Sequence, residues 1–232
     1  MSIKLSAIAL GITLAYGATA AMATEQATIW QGGWDNLAQI EQYGADLSVA
    51  KISQDGIRND GFISQNGVIS SEAEIKQTGN IGTAVIDQSR HGKGSYQVAY
   101  INQIEGWHNV GGVTQSGSRV DAHIVQSGKN NRADIEQYGG GKGRDRATVS
   151  QNGRHNETDV IQSGNDLIAT VTQAGWGHDA TLTQTGQNLR ADINQSGVNH
   201  EATITQSGSN KIATITQSGG YNNVASIMQS RR

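Results

Sequence analysis

The sequence predicts an all-β fold, a β-solenoid of about nine two-stranded rungs, and three observations predict it. First, glutamine recurs at steps of mostly 11 or 12 residues, at Gln31, Gln42, Gln54, Gln65, Gln77, Gln88, Gln103, Gln115, Gln126, Gln137, Gln151, Gln162, Gln173, Gln184, Gln195, Gln206, Gln217 and Gln229. Second, the residue two positions before each of these is Ile thirteen times, Val four times and Leu once, and the residue four before is Ala fifteen times. Third, the chain of 232 residues has no proline, where an average composition of about 5% would supply roughly a dozen. Proline cannot donate to a β ladder, so its absence suits a chain in which nearly every residue has a backbone partner.

The elements follow in chain order. Residues 1–23 read as a secretory leader, with Lys4 as the basic start, Ile8 to Tyr16 as the apolar stretch and Ala21-Met22-Ala23 as the cleavage site. The apolar stretch is too short and too diluted by Gly11, Thr13 and Gly17 for the ~20 residues that a spanning helix needs. The sequence therefore assigns 24–232 to one repeat array. With 35% hydrophobic residues, no cysteine and a formal net charge of −3, the array has neither an ordinary core, nor disulfides, nor the basic surface of a nucleic-acid binder.

Within each unit the period is two. In Ala202-Thr203-Ile204-Thr205-Gln206, strand alternation puts Ala, Ile and Gln on one face and the threonines on the other. Glycine two positions after glutamine, present in fifteen of eighteen units, marks a turn with positive φ; Arg90, Glu105 and Arg231 break the rule. The units alternate in kind. Five residues after the odd glutamines stand Asn36, Asn59, Asn131, Asn156 and Asn222, whereas even units carry Leu47, Val120, Leu167 and Leu189. The true repeat is thus strand-turn-strand-turn, about 22 residues long, within the period that marks solenoids. Insertions near His91 to Ser95 and Gly140 to Arg144 both follow even strands and are expected to bulge from one edge.

A single unit cannot bury its own apolar face; only stacking on like neighbours can. Stacking at about 4.8 Å places Gln31 over Gln54 and Gln77, so each inward amide can donate to the next one's carbonyl, as in cross-β glutamine ladders. The motif begins at Ala27 and ends at Gln229 with no recognisable polar cap, so both end rungs are expected to present strand edges that recruit another copy. Low hydrophobicity favours a disordered chain before assembly. Outward charges at Lys51, Glu74, Lys76, Asp134, Glu136 and Asp192 are candidate gatekeepers against premature pairing.

The stretch from Gln126 through Gly128, Asn131 and Ala133 to Gln137 resembles the curlin repeat, written QxGxxNxAxxxQ, and the frame recurs from Gln31 to Gln42, Gln151 to Gln162 and Gln195 to Gln206. The resemblance implies a self-assembling subunit of an extracellular functional amyloid, secreted through a dedicated outer-membrane pore and seeded by a nucleating curlin, serving cell adhesion and biofilm matrix. The terminal Arg231-Arg232 is similar to the basic final repeat of minor, nucleating curlins, which keeps that role as the alternative. Neither a cofactor nor a nucleic-acid partner is implied.

The remaining motifs do not complete a catalytic constellation. His200-Glu201 begins like a zinc-protease motif, but Ile204 stands where the second histidine is required and the stretch is strand. Gly139 to Gly143 lacks the GKS or GKT of a phosphate loop. His178 and His200 share one slot in successive rungs with His155 nearby, a metal site only if further ligands converge. Outward Thr181/Thr183 and Thr203/Thr205 pairs fit an ice-binding solenoid, but the full set is divided between the two faces. No catalytic, cofactor-binding or metal residue is therefore assigned, and a soluble ice-binding or carbohydrate-binding solenoid is the more distant alternative.

Overall fold

The computed structural model describes residues 12–14, 25–89, 96–141 and 143–230. The remainder of the expected leader, the insertion at His91 to Ser95, Lys142 and Arg231-Arg232 lie outside the described residues. Strands follow in the order β1 (Ile12–Leu14), β2 (Gln26–Trp34), β3 (Leu37–Tyr43), β4 (Val49–Ile57), β5 (Asp60–Asn66), β6 (Glu72–Asn80), β7 (Thr83–Ser89) and β8 (Gln97–Trp107). They continue with β9 (Val110–Gly117), β10 (Val120–Lys129), β11 (Arg132–Gly139), β12 (Asp145–Arg154), β13 (Glu157–Trp176), β14 (Asp179–Val198), β15 (Glu201–Tyr221) and β16 (Val224–Gln229).

All pairings are parallel, and each strand pairs with the strand one rung away. Two sheets result. The first stacks the strands ending at Gln31, Gln54, Gln77, Gln103, Gln126, Gln151, Gln173, Gln195 and Gln217; the second stacks those ending at Gln42, Gln65, Gln88, Gln115, Gln137, Gln162, Gln184, Gln206 and Gln229. In β13, β14 and β15 one strand assignment runs from the second sheet, through a corner, into the first. The expected solenoid of nine two-stranded rungs is the observed architecture.

The core lies between the sheets, where the alternation predicted it. Ala50, Ile52 and Gln54 are buried, while Lys51 and Asp55 of the same strand are exposed. One continuous apolar cluster runs from Ala38 and Ile40 to Ala213 and Ile215. Small alanine next to large isoleucine lets the two inner faces interdigitate in a space too thin for two large side chains.

Glycine after each strand has two causes. At Gly153 φ is +134°, a region closed to most L-residues, and a Cβ there would lie 1.9 Å from the carbonyl oxygen of Gly175 in the next rung. The corner therefore excludes side chains because rungs are stacked as well as because the chain turns. Glu105, one of the expected exceptions, is an inserted residue: the register slips there and Gly106 occupies the position facing Gly128.

Ile12–Leu14, within the leader expected to stand outside the fold, forms a parallel strand beside Ile40–Gln42. Leu47, which stands five after its glutamine like Val120, Leu167 and Leu189, does not share their place: it has φ +50° and is exposed, and Ser48 is buried instead. The step from Gln42 to Gln54 is one residue longer than the steps after Gln162 and Gln184, which moves the inward position along by one.

Candidate functional site

The inward glutamines form two ladders. In the first sheet, Gln31 Nε2 donates to Gln54 Oε1 at 2.8 Å, Gln54 to Gln77 at 2.8 Å, Gln77 to Gln103 at 2.9 Å and Gln103 to Gln126 at 3.0 Å. The series continues through Gln151, Gln173 and Gln195 to Gln217 at 2.9 to 3.0 Å. In the second sheet Gln42 donates to Gln65 at 2.7 Å, and the chain runs through Gln88, Gln115, Gln137, Gln162, Gln184 and Gln206 to Gln229 at 2.8 to 2.9 Å. Every bond points the same way, from the N-terminal rung to the C-terminal one.

Each amide has a second hydrogen to place, and in every one but Gln206 it goes to backbone. Gln126 Nε2 reaches Val110 O at 2.8 Å, Gln151 reaches Arg132 O at 2.7 Å and Gln184 reaches Ile168 O at 3.0 Å. These bonds satisfy amides that are otherwise fully desolvated, which is the condition for holding glutamine inside at all. The two ends of the ladders differ. Gln42 Oε1 is buried with no hydrogen-bond partner. At the other end no further glutamine follows, and the amides keep only their backbone acceptors, Glu201 O and Asn223 O at 2.9 Å for Gln217 Nε2 and Ile212 O at 3.0 Å for Gln229 Nε2.

The corner leading from the first sheet to the second has its own ladder. Asn36 Oδ1 accepts the backbone N–H of Asn59 at 2.9 Å and its Nδ2 donates to Gly32 O and Gly56 O. Asn59 repeats this with Gly82 N and Gly79 O, and Asn131 with Asn156 N, Ser127 O and Gly153 O. Asn156 accepts from His178 N at 3.1 Å. Asn222 does not belong to this set: its φ is +57°, and Asn223 takes the slot, donating to Gly219 O. Gly219-Gly220 adds one residue to that turn, so counting forward from Gln217 lands one position short.

Asn109 was missed for the same reason, since Glu105 lengthens its turn; it accepts from Asn131 N and donates to Gly128 O. The usable signal was the alanine of the following strand. Counting two back from Ala38, Ala133 and Ala225, or from Gly111 in the same register, lands on Asn36, Asn131, Asn223 and Asn109 without regard to turn length.

His178 and His200 fill the slot in rungs seven and eight. Their rings stack with centroids 5.1 Å apart and planes 19° apart. His178 Nδ1 accepts from His200 N at 3.2 Å, and His200 Nδ1 from Asn223 N at 3.3 Å. Nε2 of each faces the carbonyl oxygen four residues back, Ala174 O at 3.1 Å and Ser196 O at 3.2 Å. A neutral imidazole protonated on Nε2 therefore reproduces both bonds of asparagine, with Nδ1 standing for Oδ1. Burial, helped by the neighbouring His200 and opposed by the Ala174 bond, holds the His178 pKa below the ordinary histidine range. His155 sits one position before the slot with φ +56° and lies against Trp176 instead. Among the described residues no group of three or more His, Cys, Asp or Glu side chains is placed to hold a metal ion.

The opposite corner stacks Ser48, Ser71, Gln97, Val120, Asp145, Leu167 and Leu189, all buried. Asp145 is the one carboxyl among them. Its Oδ1 accepts from Leu167 N at 2.9 Å, but burial, with Asp166 adding, pushes its pKa up to about 6. The next residue in the preceding rung, Asp121, is buried too and is paired with Arg144 at 2.6 Å and Arg146 at 3.8 Å.

No curated protein matches the chain. The family profile described as the curlin associated repeat matches residues 109–139, 144–175, 156–186 and 186–219. These segments run from the Asn109 corner of rung four to the first strand of rung nine, a stretch through which the two glutamine ladders and the Asn/His corner are continuous. Residues 109–219 are thus built from repeats of the curlin family.

Proposed function

We propose that the chain is the structural subunit of an extracellular, curli-type amyloid fibre, working by self-assembly rather than catalysis. In this reading the last rung of one copy stacks on the first rung of the next, and the fibre serves cell adhesion and biofilm matrix. The observation that carries it is the polarity of the ladders. Gln42 ends its ladder with a buried, unpartnered acceptor, and Gln217 and Gln229 end theirs with donors. A second copy in the same parallel register supplies to each what it lacks, and a head-to-tail contact that does not close generates a filament.

Residues 1–23 are a secretory leader in this reading, and 24–232 the mature solenoid. Ile12–Leu14 lies on the Ile40–Gln42 edge, where the preceding copy's last strand would dock. Cleavage then frees the growing edge as well as releasing the chain. Secretion by an outer-membrane pore and seeding by a nucleating curlin follow from the family resemblance.

The test is thioflavin T fluorescence and fibre diffraction on purified residues 24–232 in buffer without denaturant. A lag phase, acceleration by preformed seeds and reflections near 4.7 and 10 Å are the expected result. A stable soluble monomer, unresponsive to seeds, would overturn the reading in favour of a free-standing solenoid.

A further inference from the structure

One outward column serves neither ladder nor core. It lies at the end of each strand of the first sheet, and strand register places Trp34 opposite Ile57, Trp107 opposite Asn80 and Lys129, and Trp176 opposite Arg154. Trp34, Trp107 and Trp176 fall in rungs one, four and seven and are 73%, 51% and 47% exposed. The chain has 4 tryptophans in all, so three of them sharing one column at equal intervals is a pattern rather than scatter. Large apolar side chains held in water in a row mark a binding surface.

The interval is three rungs, about 14 Å at the usual strand spacing. Nine rungs are a whole multiple of three. If copies stack head to tail, as proposed above, the rung after Tyr221 is the next copy's first, and its Trp34 continues the series unbroken along the fibre. The two rungs between Trp107 and Trp176 carry Lys129 and Arg154. Neither forms an ion pair among the described residues. His155 meets Trp176 edge-on, centroids 6.2 Å apart at 82°, and fixes that indole.

We propose that this column is a binding strip for an acidic polysaccharide of the polyuronate class. Such a chain repeats the two features the strip is built to meet: an apolar pyranose face for each indole, and a carboxylate for Lys129 and Arg154. Charge density favours it over nucleic acid. Duplex DNA carries a charge about every 1.7 Å, whereas this strip offers two cations between its aromatic stations on a chain of net charge −3.

The experiment is co-sedimentation of washed fibres with sodium alginate, with hydroxyethyl cellulose as a neutral probe and duplex DNA as a second polyanion. The expected result is alginate bound most tightly, at least about tenfold weaker in Trp34→Ala/Trp107→Ala/Trp176→Ala, and unchanged in Trp30→Ala. Lys129→Gln/Arg154→Gln should remove the preference for alginate over the neutral polymer. Alginate binding unaffected by either multiple variant, or DNA bound more tightly than alginate, would overturn the proposal. Thioflavin T on each variant separates the two readings. Fibres that form but bind alginate regardless of the substitutions refute the strip alone; a chain that never forms fibres refutes the fibre subunit, and the same alginate comparison on the soluble chain still decides the strip.

Discussion

Gln184→Ala tests the ladder at a position where its partners are fully defined. Gln184 is buried, accepts from Gln162 Nε2 at 2.8 Å and donates to Gln206 Oε1 at 2.9 Å and to Ile168 O at 3.0 Å. Truncation leaves Gln162 with Arg146 O as a remaining acceptor, but strips Gln206 Oε1 of its glutamine donor. An orphaned buried acceptor costs about 1–3 kcal/mol, and the lost side-chain volume adds to it. The total is about 3 kcal/mol per subunit, a roughly hundredfold rise in the concentration left soluble at equilibrium with fibres. Thr183→Ala, outward on the same strand, should stay within about twofold, the usual range for a surface change. Gln184→Leu separates volume from hydrogen bonding: it fills the space but still orphans Gln206, so it should remain well above wild type. Equal soluble concentrations for Gln184→Ala and Thr183→Ala, or wild-type behaviour of Gln184→Leu, would refute the assignment of the ladder as the stabilising element.

Three further outcomes are expected. Because the His178 pKa is held down in the folded state, the unfolded chain takes up the proton more readily, so stability is full above the ordinary value of 6.5 and falls as pH drops through it; the protection factor of the His200 amide, its hydrogen exchange relative to the intrinsic rate at each pH, should fall between pH 7.5 and 5.5, and His178→Asn should abolish the change. Asp145 works in the opposite sense: its raised pKa means a penalty that is full above about pH 6 and fades as pH falls from 6 towards 3.8, so Asp145→Asn should stabilise the fold at pH 7.5 by about 3 kcal/mol, read as a higher guanidinium midpoint. Full-length chain retaining residues 1–23 should elongate seeds more slowly than 24–232, and equal seeded rates would show that Ile12–Leu14 does not obstruct the edge.

The strands, their inward faces and the two-strand rung were legible because alternation and a strict period are local properties. The corners were less so, because a turn's length varies while its end point does not. Glu105 and the Gly219-Gly220 pair each add a residue that the fold absorbs as a bulge or a wider turn, and only the next strand's alanine restores the count. That histidine can replace asparagine was visible as a coincidence of position at His178 and His200, but not as a mechanism. Equivalence of Nδ1 to Oδ1 depends on where the next rung's N–H lies, which no residue pattern states. The inward place of Asp145 was open to the same count, two back from Ala147, but the rise in its pKa was not, because that depends on how completely the stacked corner excludes water.

The uniform direction of the ladders has a physical cause that bears on how copies can join. An interior Nε2, Gln206 aside, divides its hydrogens between the next glutamine's Oε1 and a backbone carbonyl, as Gln137 does with Gln162 and Asp121 O. Reversing one amide would turn its oxygen towards that carbonyl and place like atoms against like in the rungs on either side, leaving several buried groups unpaired at once. The amides are therefore locked as a set, and the lock extends to the ends: acceptors face out of rung one, donors out of rung nine. Two copies meeting at their first rungs would set Gln42 Oε1 against Gln42 Oε1, and two meeting at their last rungs would set donor against donor. Only the unlike pairing completes both ladders, so in the proposed fibre chains that stack by these rungs would all point the same way, and its two tips would differ in chemistry.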